Sequence, residues 1–168
     1  MEYIVFSIGK GWIAILGSVR GLVSITMPQS SAQEALDILG EMLNHAAPSS
    51  ERFKDLIQRL KDYFGGKKVS FPDKLDLSRA TPFQRQVWQV TRLIPYGETR
   101  SYLWVAERMG KPKAMRSVGQ ALARNPLPII IPCHRVVKSD GELGGFTGGV
   151  EMKRRLLNIE AAATLHQR

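Results

Sequence analysis

The chain has one cysteine in 168 residues, at position 133, so it cannot close an internal disulfide or build a multi-cysteine zinc site. Its three histidines, His45, His134 and His166, are too scattered for metal-ligand spacing, and no metal is expected. No run of eighteen apolar residues occurs, and Met1-Glu2-Tyr3-Ile4 places an acid where a signal peptide carries positive charge. The expectation is a soluble intracellular protein that does not engage a membrane. The glycine-rich stretch 144–149 lacks the lysine and hydroxyl pattern of a phosphate loop, so no nucleotide and no other cofactor is expected. Acids are scarce in one half only. Residues 81–168 hold six Asp/Glu against fourteen Lys/Arg, a net of +8, whereas residues 1–80 hold nine against ten, a net of +1. Nearly all of the total charge of +9 therefore lies in the C-terminal half. A polyanion-binding surface would need such an asymmetry, although a solvated, solubilising face would read the same way.

What is present suffices for a core, with 43% hydrophobic residues and an ordinary 8% aromatics. The length allows one domain or two small ones, and the charge split favours two, over 1–80 and 81–168. Tyr3–Ile8, Trp12–Ser18 and Leu22–Met27 are short β-branched runs separated by glycine turns, which predicts a three-stranded antiparallel meander. Ser30 or Ser31 can cap a helix through about His45, with Ala35, Leu36, Leu39, Met42 and Leu43 at helical spacing. Pro48-Ser49-Ser50 predicts the start of a second helix, with Phe53, Leu56, Ile57, Leu60 and Phe64 on one stripe and Gly65-Gly66 ending it. Residues 71–77 read as a strand or extended linker. This half shows no nucleophile and no ligand cluster, and reads as a scaffold.

The second half opens on Thr81-Pro82-Phe83-Gln84, a capping box with proline at the first helical position. Phe83, Val87, Trp88 and Val90 continue an apolar face towards Ile94. Ser101 can cap a short helix over Tyr102–Met109, closed by Gly110, and Pro112 is expected to open another running to about Arg124. Met115, Val118 and Leu122 are placed inward, with Lys113, Arg116, Gln120 and Arg124 largely elsewhere. Two short helices joined by a Gly-Lys-Pro turn predict a helix-turn-helix, with an ordinary αα-hairpin as the competing reading. Val150–Ile159 reads as a closing helix with Met152, Leu156 and Leu157 inward and Glu160 at its end. The fold class is thus α+β: a small N-terminal antiparallel sheet with helices, then a mainly helical C-terminal domain containing a helix-turn-helix.

Asn125–Val137 reads Asn-Pro-Leu-Pro-Ile-Ile-Ile-Pro-Cys-His-Arg-Val-Val. Prolines at 126, 128 and 132 remove backbone donors and fix φ, so no α-helix is possible here. The isoleucine run wants burial, and an extended buried segment would deliver Cys133 beside His134 and Arg135. Neighbouring imidazole and guanidinium groups favour the thiolate, the nucleophilic form. On these residues alone an inert buried cysteine is the competing reading.

The thirteen-residue pattern resembles the active-site signature of the O6-alkylguanine-DNA alkyltransferases, and the resemblance extends from about Thr81 to Glu160. It implies DNA repair by a single displacement, in which Cys133 takes the alkyl group from guanine O6, with O4-alkylthymine as a further candidate. The chain would be a methylated-DNA–[protein]-cysteine S-methyltransferase that inactivates itself after one turnover. By the same resemblance, His134 would draw the thiol proton through a water, Glu160 would orient His134, and Tyr102 would serve guanine N3. Arg116 would enter the base stack in place of the flipped nucleotide. Lys113, Ser117, Gln120, Arg124 and Arg135 are carried over as further DNA contacts. Asn125, Pro128, Val136 and Thr147 would frame the pocket, Thr147 standing where many members carry serine. The implied partner is double-stranded DNA carrying alkylated guanine. The protein is expected to be a monomer in solution, with cooperative binding on DNA left open, cytoplasmic in a prokaryote or nuclear in a eukaryote. Two other readings compete with this one: a non-catalytic reader of alkylated bases, and a Cys-His hydrolase.

Overall fold

The computed structural model describes residues 1–166, and the chain forms two compact units, Met1–Ser78 and Arg79–Arg168. In the first unit, strands β1 (Glu2–Ile8), β2 (Gly11–Ser18) and β3 (Gly21–Ile25) form the predicted antiparallel meander. A fourth strand, β4 (Ala47–Pro48), pairs parallel with β1, giving the order β3-β2-β1-β4. Pro48 obscures this strand in the sequence because it cannot donate. Its neighbours donate instead, Ala47 N to Met1 O at 3.0 Å and Ser49 N to Tyr3 O at 2.9 Å, and the proline sits on a sheet edge.

Helix α1 (Ala32–Leu39) is capped by Ser31, whose Oγ accepts from Glu34 N at 3.1 Å. It stops well short of His45, because Gly40 takes φ 53° and the chain tightens into a 3₁₀ turn over Gly40–Leu43. Ala35 and Leu39 bury against Ala14 and Leu16 of β2. Helix α2 (Lys54–Phe64) begins six residues after Pro48, with residues 50–53 forming a turn. Its buried stripe is Leu56, Leu60 and Tyr63 below Phe53, whereas Ile57 and Phe64 are only half-buried. Residues 71–77 run extended along β3, where Leu22 N donates to Lys74 O at 2.9 Å and Asp76 N to Leu22 O at 2.7 Å. Gly21 (φ 143°) is required there, since a Cβ would collide with the Lys74 carbonyl.

In the second unit, α3 (Pro82–Thr91) carries both arms of the capping box: Gln84 N to Thr81 Oγ1 at 3.1 Å and Thr81 N to Gln84 Oε1 at 3.0 Å. A two-residue strand β5 (Arg100–Ser101) leads into α4 (Tyr102–Arg108), capped by Ser101. Helix α5 (Met115–Ala123) starts three residues later than Pro112 suggested, because residues 111–114 close a turn through Ala114 N to Lys111 O at 2.9 Å. Trp88 on α3 donates from its indole to Ala121 O at 2.9 Å, fixing α3 to the end of α5. Strand β6 (Val136–Val137) pairs parallel with β5.

The last helix, α6 (Val150–His166), runs past Ile159, so Glu160 lies within it rather than at its end. Its buried stripe is Lys153, Leu156, Glu160 and Ala163; Met152 and Leu157 are half-buried. Two charged residues on a buried stripe announce a polar site. Among the described residues, no helix is long and apolar enough to cross a membrane.

Candidate active site

The chain between α5 and β6 is tied by one side chain. Asn125, 5% exposed, donates from Nδ2 to Ile131 O at 2.8 Å and to Cys133 Sγ at 3.0 Å, while its Oδ1 accepts from Leu127 N at 2.9 Å. The segment is buried as expected but is not a plain extended run. Ile131 N returns to Leu127 O at 2.8 Å around Ile129, a buried β-branched residue at φ 75°, where such side chains are strained. Cys133 then opens a short 3₁₀ turn, Cys133–Arg135, instead of continuing a strand. Pro128 and Val136 are buried on either side.

His134 is fully buried, and its Nε2 lies 2.5 Å from Glu160 Oε2. Arg135, expected on the DNA surface, is instead buried beside the same carboxylate. Its Nε donates to Glu160 Oε1 at 2.8 Å, Nη2 to Oε2 at 3.2 Å, and Nη1 to Ile94 O at 2.9 Å, with its guanidinium over the Tyr96 ring. A cation that fully engaged cannot also reach a phosphate. Burial pushes the Glu160 carboxyl up, but His134 and then Arg135 outweigh it and hold the group at about 2. Burial lowers His134, with the Glu160 bond opposing, and so favours the neutral imidazole. The result is a carboxylate compensated by Arg135 and hydrogen-bonded to a neutral base.

Cys133 is 5% exposed, and burial raises its thiol above the ordinary value. The groups pulling it back are the Asn125 amide and then the Lys153 charge, not the adjacent guanidinium invoked from the sequence. Lys153 is fully buried on α6 and donates from Nζ to Val136 O at 2.7 Å and to Gly145 O at 3.1 Å. Burial lowers it to about 8. Sequence reasoning missed Lys153; the available signal was its spacing of three from Leu156 and seven from Glu160 on one helix face.

Cys133 opens onto a cavity of about 800 Å³ whose lining includes Tyr102, Met115, Arg116, Gly144 and Thr147. The Tyr102 hydroxyl is raised by burial and then by the nearby thiol, and Lys153 Nζ lies 5.8 Å from its ring centroid. Gly144 (φ 73°) allows the loop to approach Tyr102, since a Cβ there would sit 2.6 Å from the hydroxyl. Thr147 Oγ1 donates to Ala123 O at 2.9 Å, pinning that loop to the end of α5. Met115, expected inward, is 45% exposed at the cavity wall, while Val118 and Leu122 are buried as expected. Lys113, Arg116, Ser117, Gln120 and Arg124 are exposed, forming a stripe along α5 and its flanks.

The family model described as "6-O-methylguanine DNA methyltransferase, DNA binding domain" matches residues 82–162, which span every side chain of this site. A methylated-DNA–protein-cysteine methyltransferase of Methanosarcina acetivorans is 36% identical over 162 residues, 96% of this chain and 99% of that protein. The chain belongs to the methylated-DNA–protein-cysteine methyltransferase family. The family protein of Mycobacterium tuberculosis is 46% identical over 116 residues, 69% of this chain and 70% of its own length. The family fold is also shared: the crystal structure of Mycobacterium tuberculosis OGT in complex with DNA superposes with a TM-score of 0.82 at 36% identity, covering 97% of this chain and 94% of that one. Full-length similarity places both units within the methyltransferase family, including the N-terminal one that carried no signature of its own.

Proposed function

We propose that this protein repairs DNA by moving an alkyl group from guanine O6 onto its own Cys133, once per molecule. The observation that carries the reading is the chain's sole thiol at the wall of an open cavity, backed by a buried imidazole–carboxylate pair. With Nε2 engaged by Glu160, His134 presents Nδ1 as the nitrogen that accepts the Cys133 proton, through an intervening water. The ionised Glu160 stabilises the imidazolium that results, while the Asn125 amide and the Lys153 charge stabilise the thiolate. The thiolate then attacks the alkyl carbon, the carbon–oxygen bond breaks, and guanine leaves as an anion. Tyr102 hands its proton to guanine N3 and is reprotonated at the expense of His134, so the thiol hydrogen ends on the base and the alkyl group on sulfur.

Family membership supports duplex DNA as the partner, and the basic stripe of α5 supplies a surface of the right charge. A base inside a duplex is out of reach of a wall cysteine, so the nucleotide is flipped into the cavity, with Arg116 at its rim filling the gap in the stack. The test is intact-mass analysis after incubation with excess O6-methylguanine duplex. One methyl group per protein, located on Cys133 and absent from Cys133→Ala, is expected. Modification of another residue, or repeated turnover, would overturn the reading.

A further inference from the structure

Cations resting on aromatic rings occur in both units, but their partners differ. In the first unit Arg52 lies 5.3 Å over Phe53 and Arg59 5.5 Å over Phe71, and each is also neutralised, Arg52 by Glu2 at 3.0 Å and Arg59 by Asp55 at 2.9 Å and Asp73 at 2.7 Å. In the second unit the Trp104 indole carries two guanidiniums, Arg100 at 5.5 Å and Arg108 at 5.3 Å, and the Phe83 ring carries Lys111 Nζ at 5.3 Å. Arg100 has Glu98 at 2.9 Å, but among the described residues no acid pairs with Arg108 or Lys111, and both are exposed. A carboxylate orders a cation and cancels its charge; an aromatic face orders it and leaves the charge intact. Arg108 and Lys111 are thus held in place yet uncompensated, a condition that suits a polyanion. Two residues beyond Lys111 the basic stripe of α5 begins at Lys113, so the two surfaces are continuous through the turn between the helices.

We propose that Arg108 and Lys111 form a second phosphate-gripping strip that holds the backbone of the duplex outside the reactive cavity. The partner rests on the DNA reading above. The strip contributes affinity and salt dependence without touching the alkylated base.

The test compares wild type with Arg108→Ala/Lys111→Ala, two exposed positions, by anisotropy on an undamaged duplex across a range of salt concentrations. Each lost phosphate contact lowers the slope of log K against log salt by about 0.9, so the double variant should lose about 2. Its rate of transfer from free O6-benzylguanine should equal that of wild type. An unchanged slope overturns the proposal, as does a free-base rate that falls as far as the duplex rate. Equal sensitivity of polyglutamate binding to the two substitutions overturns the assignment to nucleic acid. Trp104→Leu, which keeps every charge, should weaken binding at unchanged slope, and wild-type affinity in that variant overturns the role of the ring. Should wild type transfer no alkyl group at all, the alkyl-transfer reading fails, while the slope comparison still decides the strip.

Discussion

His134 sits between two groups that pull it in opposite directions, and burial prevails, so at neutral pH it is a base ready to accept a proton. His134→Ala should therefore slow transfer by about 10²–10⁴-fold, the usual contribution of a positioned general base, measured as single-turnover rate on a methylated duplex. Glu160 and Lys153 contribute to stability with opposite sign at neutral pH, although both make it rise with pH in their own windows. The folded Glu160 value of about 2 lies below its ordinary 4.5, so the unfolded chain binds the proton more readily between those values. The resulting stabilisation, about 3 kcal/mol, is complete above about pH 4.5 and is lost as pH falls towards 2. Lys153, at about 8 against an ordinary 10.5, is also depressed, but here the charged form is the buried one that costs. Its penalty is full below pH 8 and relieved as pH rises towards 10.5. Melting temperatures across pH should thus lose their acid step in Glu160→Gln and their alkaline gain in Lys153→Met. Gly144→Ala introduces a methyl group 2.6 Å from the Tyr102 hydroxyl at a left-handed φ, at a cost of about 1–2 kcal/mol. Transfer should fall more than melting does, because the displaced group faces the cavity.

At the level of elements, the sequence disclosed what local rules decide. The Thr81-Pro82-Phe83-Gln84 cap forms with both hydrogen bonds, and Thr81→Ala should lower stability by about 1 kcal/mol in chemical denaturation. Ser31 and Ser101 cap α1 and α4 as their types require. The 125–137 motif was legible because three prolines, an isoleucine run and the sole cysteine leave few conformations and one reactive group. Less legible was whatever depends on partners distant in the chain. Strand β4 exists because β1 offers an edge, and nothing in Ala47-Pro48 alone announces it. Apolar spacing ends α6 at Ile159 because the next residue on its inward face is the charged Glu160, yet the helix continues to His166. The resemblance carries Arg135 over as a DNA contact; only the folded site shows that a buried carboxylate 25 residues away holds it.

For the whole molecule, the charge asymmetry seen in composition is a division of labour between partners of the cations. The first unit pairs Arg52 and Arg59 with acids, whereas the second, which gives Arg100 and the buried Arg135 a carboxylate each, leaves Arg108 and Lys111 to aromatic faces and solvent. The second unit also holds the only thiol. Alkylation of Cys133 leaves a thioether with no acyl carbonyl for water to attack, and removes the thiol that Asn125 bonds while that amide also braces Ile131. The alkylated protein should be less stable by about 1–3 kcal/mol, the usual range for a polar group deprived of its partner, read as a lower melting temperature after stoichiometric transfer. Unchanged melting would mean that the Asn125 clip survives without the sulfur. On the proposed chemistry, a molecule with a single usable sulfur also behaves in a cell as a reagent. Lesions are cleared up to the number of copies present, and those in excess persist until translation refills the pool. A variant that reacted faster would finish sooner but clear no more, so capacity is governed by expression and by disposal of spent protein rather than by rate.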